Sequence, residues 1–307
     1  MIETENELRQ RIKHLQLWAA HSISGHQHGS YLSTFAGSGL EFNDFRLYVP
    51  GDDVKHIDWK VTARSQDPYV RGFREERDLH LLLLVDISSS MFFGSKKGRE
   101  KIRICVDFAA LLSALTTYHN DKISLALFSD HISHYLPPSR GSAHSFRVLK
   151  SILTAPTSSQ PTSLKEALHF AMKSLKKRSL VVLLSDFLDS NPYNAEMKAL
   201  ATKHDLTCLR IYDPLEIDPP QGGGWTYRDC ESDQRFRGKI GQIITSKLSP
   251  SRQLNDYNRA EKTQPFDDWR RTLRNHRTDG YAVDATRDDP IKTLYAMTRK
   301  HKASQRL

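Results

Sequence analysis

Short runs of aliphatic residues alternate along most of the chain with longer segments whose apolar residues recur every three or four positions. Runs bounded by polar residues, such as 81–85, 179–184 and 205–212, are typical of strands that are buried on both faces. The spacing in the segments between them, such as 102–118, predicts helices. Strands that alternate with helices in this way indicate an α/β fold with a doubly wound, mostly parallel sheet.

Three other stretches depart from this alternation. In 1–20, apolar residues at helical spacing predict a helix that docks on the main body. The stretch 37–76 is dense in glycine, proline, aromatic and charged residues, which predicts short strands and turns, and 225–240 predicts a hairpin. We therefore expect an N-terminal helix with a β-rich extension at 1–76, and an α/β domain at 77–307 with a peripheral hairpin insertion at about 216–250.

The polar residues that end the first buried run form the candidate site. The run 81–85 leads into Asp86, and Ser88 and Ser90 follow at alternate positions. Because ligands collect beyond the carboxyl ends of parallel strands, this carboxylate and these two hydroxyls can converge on one cation. All three are hard oxygen donors, which suit Mg²⁺ or Mn²⁺ better than zinc or copper.

Two later positions repeat this chemistry. Thr162 immediately precedes a predicted helix whose start is marked by Ser163 and, three residues on, by Glu166, which is the spacing of a capping box. At that place the threonine hydroxyl can act as a helix cap or as a ligand of a cation. The next buried run ends, like the first, in an acidic side chain, Asp186.

Charge and composition narrow the classes of function. The 45 basic residues exceed the 36 acidic ones, a net charge of +9, but they are dispersed and lack interleaved aromatic platforms, which disfavours nucleic acid as a partner. Three cysteines without CxxC spacing indicate neither a disulfide framework nor a zinc site. Residues 94–101 lack the spacing of a phosphate-binding loop, so an ATPase is not indicated. Because no apolar run reaches about 20 residues and no signal-peptide pattern is present, we expect a cytoplasmic protein.

The candidate residues resemble a known binding site in their order and spacing. Asp86, Ser88 and Ser90 in a DxSxS strand end, Thr162 in a later loop and Asp186 after another strand are similar to the metal-ion-dependent adhesion site of von Willebrand factor A domains. The chain also resembles a bacterial family, domain of unknown function 58, in the segments GSGLEFNDFRLYVPGDDVKHIDWKVTAR, FREERDL, LLSDF and KHDLTCLRIYDPLE. These resemblances imply a von Willebrand factor A-like, Rossmann-like sheet.

The resemblance also implies a role for each site residue. Ser88 and Ser90 would coordinate Mg²⁺ directly, Thr162 directly or through water, and Asp86 and Asp186 largely through water. One coordination position is left for an aspartate or glutamate of a partner, which gains strongly from joining a shell with few protein carboxylates. The implied function is a non-enzymatic, Mg²⁺-dependent protein-binding module, an adaptor between a MoxR-type AAA+ ATPase chaperone and its client proteins.

Departures from the adhesion-domain pattern bear on the binding of the cation, and two other functions stay open on separate grounds. Ser163 stands where relatives often have an acidic or amide residue, and Phe187 stands where glycine is common, so the fold can persist without the cation. A metal-dependent hydrolase would use the cation to activate water, with Asp186 or His204 as the base. A basic nucleic-acid-binding protein is the third alternative, and it predicts association that falls steeply with salt.

Overall fold

The structure, a computed structural model, describes residues 5–24, 40–49, 57–64, 67–75, 79–96, 99–158, 160–189, 191–217, 226–228, 235–237, 264–276 and 278–304. The chain divides into two compact units. The large unit contains Met1–Phe35 and His80–Leu307, and the small unit contains Ala36–Leu79.

The elements within these ranges are numbered in chain order. The strands are β1 (Leu40–Leu47), β2 (Tyr69–Glu75), β3 (His80–Asp86), β4 (Lys122–Phe128), β5 (Ile132–Ser139), β6 (Leu180–Ser185), β7 (Asp205–Tyr212), β8 (Thr226–Arg228), β9 (Arg235–Arg237) and β10 (Asp279–Asp284). The helices are α1 (Glu5–Ser24), α2 (Trp59–Thr62), α3 (Lys101–Tyr118), α4 (Ser142–Leu153), α5 (Leu164–Ser174), α6 (Asn194–Lys203), α7 (Pro214–Ile217), α8 (Gln264–Asn275) and α9 (Pro290–Ser304), with a 3₁₀ turn at Ser89–Phe92. None of the helices in the described ranges has the length and apolar character needed to cross a membrane.

Six strands of the large unit form one sheet, in the order β10-β7-β6-β3-β4-β5. All neighbours in it are parallel except β5, which runs antiparallel to β4 at one edge. The central strand β3 places Leu83 between Leu125 of β4 and Val182 of β6. An unbroken aliphatic run at this place reflects burial on both faces, and the predicted mostly parallel α/β sheet is confirmed.

Helices cover both faces of this sheet. On one face, α5, α6 and α8 pack over Leu82 and Leu84 of β3, which share an apolar core with Leu168, Met197 and Leu273. On the other face, α3 contacts β3, β4 and β7, and α1, α4 and α9 contact α3 in turn. Because successive strand side chains point to opposite faces, β3 contributes to both layers. The carboxyl ends of the parallel strands all lie at the same edge of the sheet, which is sandwiched between these two layers of helices.

The small unit contains an antiparallel strand pair. β1 and β2 pair along their lengths with one irregularity. Asp58 caps α2, because its carboxylate accepts hydrogen bonds from the backbone N–H groups of Lys60 and Val61 at 2.9 and 3.2 Å. The short strands predicted for 37–76 are confirmed, and residues 50–56, which include a predicted turn, lie outside the described residues.

The unit boundary differs from the predicted division at residue 76. α1 contacts α3 and α4 of the large unit, and Leu8, Ile12 and Ala19 of its apolar stripe are buried. The helix therefore docks on the main body as predicted, but tertiary contacts group it with the sheet and not with the β-rich stretch that follows it in sequence.

β8 and β9 pair antiparallel, which confirms the predicted hairpin.

Candidate functional site

The candidate site lies where β3 and β6 end. These two strands are parallel neighbours in register, so the residues that follow them emerge at the same edge of the sheet. Asp86, at the end of β3, is completely buried. Its Oδ2 accepts hydrogen bonds from Oγ of Ser185, at the end of β6, at 2.7 Å and from Oγ1 of Thr162 at 3.2 Å. The carboxylate of Asp86 thus links the end of β3 to the end of β6 and to the loop that contains Thr162.

The two predicted serines complete a connected network. The N–H of Ser88 donates to Oδ1 of Asp86 at 2.9 Å, and the Oγ atoms of Ser88 and Ser90 lie 3.1 Å apart. A 3₁₀ turn begins at Ser89, and the hydroxyl of Ser90 lies close enough to Asp186 to contribute to lowering the pKa of that carboxyl. The structure therefore brings together all five side chains that the sequence pattern selected.

Thr162 reaches Asp86 because its loop is held beside β4. The N–H of Ser163 donates to the carbonyl of Ser129, just after β4, at 2.7 Å. Ser163 then caps α5, since its Oγ accepts from the N–H of Glu166 at 3.4 Å. The predicted helix start is confirmed, and the cap is Ser163. The hydroxyl of Thr162 is thus free of that role and donates to Asp86.

The two carboxylates of the site have opposite pKa shifts. Burial, reinforced by the charge of Asp186, raises the pKa of Asp86 to about 7 against the opposing hydrogen bonds of Ser185 and Ser88. Burial also acts to raise the pKa of Asp186, but the charge and hydrogen bond of Lys101 outweigh it and lower that pKa below its usual value. Asp186 is therefore ionised at neutral pH, whereas Asp86 holds its proton up to about that pH.

Lys101 is a functional candidate that sequence reasoning missed. It is the first residue of α3, and its side chain is 0% exposed. Its Nζ lies 2.8 Å from Oδ2 of Asp186 and 2.6 Å from Oε1 of Glu216 on α7. Burial acts to lower the pKa of Lys101, but these carboxylates hold it above the usual value. A signal was present in the sequence, because a lysine in the first turn of an apolar helix opposes the helix dipole and needs a nearby anion.

Ser185 was missed as well, together with the conformation that it supports. Its Oγ donates to Asp86 and accepts from the N–H of Phe187 at 3.0 Å. Phe187 has a φ of 58°, in the left-handed region that favours glycine. Its ring is buried and packs edge-on against Trp269 at 5.2 Å between centroids. Phe187 thus holds a backbone conformation that glycine adopts more readily.

The donor set fits a divalent cation. Among the described residues no basic side chain pairs with Asp86, so its buried charge lacks the compensation that Lys101 gives to Asp186. A divalent cation would supply that compensation. The same described ranges hold no group of three His, Cys, Asp or Glu side chains arranged to bind a metal, so hydroxyls would carry much of the coordination, as hard Mg²⁺ and Mn²⁺ accept. The ligand assignment stays a prediction for Asp86, Ser88, Ser90, Thr162 and Asp186.

The hydrolase alternative loses one of its two bases. His204 directly precedes β7, at the end of the strand opposite to the candidate site. A strand of eight residues spans roughly 25 Å, so this histidine cannot contact a cation beside Asp86. The other proposed base, Asp186, is bound by Lys101. The assignment of His204 was wrong, because a residue that precedes a parallel strand lies at the edge of the sheet opposite to the carboxyl ends, where the candidate site is.

Comparison with known proteins gives one family and several similar chains. The family described as protein of unknown function DUF58 matches residues 44–245. The uncharacterised protein Rv1480 of Mycobacterium tuberculosis is 30% identical over 230 residues, which are 74% of this chain and 72% of that protein. Among solved structures, an aerotolerance-related membrane protein of Bacteroides fragilis is 13% identical with a TM-score of 0.48, over 73% of this chain and 99% of its own.

A second solved structure has a described metal. Proximal thread matrix protein 1 of the mussel byssus, with a zinc-occupied MIDAS motif, is 19% identical with a TM-score of 0.36 over 44% of this chain and 38% of its own. The family match covers about two thirds of the chain, and the mycobacterial relative covers 74% of it. The family predicted from the sequence is confirmed: this chain belongs to the DUF58 family.

Proposed function

We propose that this protein is a non-enzymatic, Mg²⁺-dependent protein-binding module, in which an aspartate or glutamate of a partner completes the shell of a cation at the carboxyl edge of the sheet. The observation that carries the proposal is the convergence of three hydroxyl side chains and Asp186 around Asp86, a buried carboxylate with no basic partner among the described residues. Burying such a charge is costly unless a cation compensates it.

The hydroxyl and carboxylate side chains have different roles in the proposed binding of the cation. The hydroxyls of Ser88, Ser90 and Thr162 would coordinate the cation, and the carboxylates of Asp86 and Asp186 would orient the water in its shell. The cation supplies an electrophilic position for an external carboxylate. Because hydroxyls contribute no negative charge, the cation would stay under-neutralised and an incoming carboxylate would bind strongly.

The partner proposal rests on family membership and not on geometry. We propose that the module acts in the cytoplasm as an adaptor between a MoxR-type AAA+ ATPase and client proteins, and that a client or the ATPase provides the carboxylate. The net charge of +9 supports an acidic partner surface, since opposite charge speeds association.

Titration calorimetry with Mg²⁺ and with Mn²⁺ tests the cation site. We expect Asp86→Asn and Ser90→Ala to weaken binding by about tenfold to 100-fold, the range seen when the supporting groups of a metal site are removed. Ser89→Ala is the matched control, because it makes the same chemical change between two predicted ligands. Equal affinity in wild type and Asp86→Asn would remove the cation from the proposed function.

A pull-down with a purified MoxR-type ATPase tests the partner. We expect capture by wild type in Mg²⁺, loss of capture in EDTA and loss with Asp86→Asn, while Ser89→Ala behaves as wild type. Capture that is unchanged by EDTA would contradict a cation-mediated contact. Absence of capture in every condition would contradict the ATPase as the partner and leave the calorimetric result to decide on the cation.

A further inference from the structure

A buried charged cluster adjoins the candidate site and extends beyond its predicted ligands. Lys101 contacts Asp186 and Glu216 at the distances given above, and the side chain of Glu216 is only 24% exposed. The other oxygen of Glu216, Oε2, accepts from the N–H of Asp213 at 3.2 Å. The carboxylate of Asp213, itself completely buried, accepts from the N–H of Ser95 at 2.7 Å. The cluster thus connects the ends of β6 and β7 with the segment before α3.

The position of Lys101 is unfavourable by every local criterion. The start of α3 carries the positive end of the helix dipole, which repels an ammonium group. Complete burial removes its hydration, and such a charge is tolerated only when it is paired and hydrogen-bonded. Two carboxylates meet this need, so the lysine is held where it is by the groups around the site.

The contacts of Asp186 reduce the negative charge that this carboxylate would offer to a cation. Oδ2 of Asp186 is bound to Lys101, and its Oδ1 accepts from the N–H of Leu188 at 3.1 Å. The negative charge of Asp186 is therefore largely compensated within the protein. Of the two site carboxylates, only Asp86 lacks a basic partner among the described residues.

We propose that Lys101 is an internal counter-ion of the candidate site: it lowers the affinity for a divalent cation alone, and so makes tight binding of the cation depend on an external carboxylate. Glu216 acts in the opposite direction, because it shares the lysine's charge and leaves more of the charge of Asp186 for the cation. Lys101 and Glu216 are positioning residues, not ligands. This inference rests on the proposed function.

Lys101 and Glu216 are proposed to change the affinity for the cation in opposite directions. A purely structural role of Lys101 would not produce this difference. Mn²⁺ affinity is measured by titration calorimetry on the full chain at neutral pH. We expect Lys101→Met to bind Mn²⁺ about tenfold or more tightly than wild type, since a positive charge near the cation is removed. We expect Glu216→Gln to bind it several-fold more weakly. If Lys101 only maintained the fold, both variants would bind more weakly.

The double variant Lys101→Met with Glu216→Gln guards against misfolding. It leaves the net charge of the cluster unchanged and removes one of the two carboxylates that the single lysine variant would leave buried without a cationic partner. We expect it to bind Mn²⁺ more tightly than wild type, and its result decides the matter if Lys101→Met does not fold. Repeating the titration in acetate, whose carboxylate stands in for the partner's, should increase affinity more in wild type than in the double variant.

The outcomes separate this inference from the proposed function. If wild type binds Mn²⁺ and Asp86→Asn does not, but the lysine variants bind no more tightly than wild type, the inference is overturned and the proposed function stands. An equal gain from acetate in wild type and the double variant overturns the dependence on an external carboxylate. If neither wild type nor any variant binds Mn²⁺, the proposed function fails and the inference fails with it.

Discussion

The ends of β3 and β6 are alike in sequence and opposite in electrostatics. Each strand is an aliphatic run that leads into an aspartate, and the two strands lie side by side in the sheet. Asp86, the last residue of β3, accepts hydrogen bonds from the hydroxyls of Ser185 and Thr162, and burial raises its pKa. Asp186, after β6, is bound by a buried lysine that lowers its pKa in spite of burial.

The difference comes from residues that neither strand contains. Lys101 belongs to α3 and Glu216 to α7, whereas the hydroxyl of Thr162 comes from the loop before α5. Two aliphatic strands that both lead into an aspartate can therefore hold one carboxylate with a cationic partner and one without. The pair combines a carboxylate that is bound by a lysine with a carboxylate that has no basic partner among the described residues.

Removing Lys101, which pairs with Asp186, should have the largest effect on stability. In the presence of a chelator, Lys101→Met leaves the carboxylates of Asp186 and Glu216 buried without the ammonium group that pairs with them. We expect the free energy of unfolding to fall by about 3–5 kcal/mol. Urea denaturation measures this loss. Lys96→Met, at an exposed lysine, is the control and should change stability by less than about 0.5 kcal/mol. A similarly small loss for Lys101→Met would mean that the ion pairs do not support the fold.

Asp86, which has no basic partner among the described residues, should make the free energy of unfolding depend on pH. Because the pKa of folded Asp86 is raised to about 7 from an unfolded value near 4, its protonated form is favoured by folding. This stabilising contribution is complete below about pH 4 and is lost as the pH rises through about 7, a change of at most roughly 4 kcal/mol. We expect the stability of wild type in EDTA, relative to Asp86→Asn, to fall across this range.

Added Mg²⁺ sharpens the same measurement. A cation binds the ionised form of Asp86, so the stabilisation by Mg²⁺ should be greater at pH 8 than at pH 5, and Asp86→Asn should show little of it. If wild type and Asp86→Asn have parallel pH profiles in EDTA, Asp86 is not the uncompensated group of the site.

The smallest effect concerns the backbone after β6. With a φ of 58° at residue 187, Phe187→Gly should be more stable than Phe187→Ala by about 1 kcal/mol, since both variants lose the ring and only alanine retains the left-handed penalty. Thermal unfolding of the two variants measures the difference. At Leu188, which has no positive φ, the order should reverse, with alanine more stable than glycine. Alanine at 187 equal to or above glycine would contradict a strained conformation at the site.

The course of the main sheet could be predicted because its signals are local. Unbroken aliphatic runs identify β3, β6 and β7, and the capping residue Ser163 identifies the start of α5. The assignment of α1 to a compact unit could not be predicted in this way. Its stripe shows that the helix docks, but the docking surface is formed by α3 and α4, which lie about 100 residues or more further along the chain.

The site could be predicted only in part, for the same reason. Asp86, Ser88, Ser90, Thr162 and Asp186 follow a recognisable spacing, and the fold brings them together. Ser185 stood beside a selected residue, and Lys101 stood one residue before the predicted helix 102–118. Their roles depend on distances of 2.6–2.8 Å between atoms of different elements, and no periodic pattern contains such distances.

By itself, the sequence determined that DxSxS follows a buried strand and that a second aspartate follows another, because strand burial and polar strand ends are local consequences of residue type. Only the tertiary structure decided which aspartate received the lysine. That choice depends on where α3 starts relative to the ends of β6 and β7. Electrostatic energy depends on separation in space, so the charge of the site is a property of the packed fold.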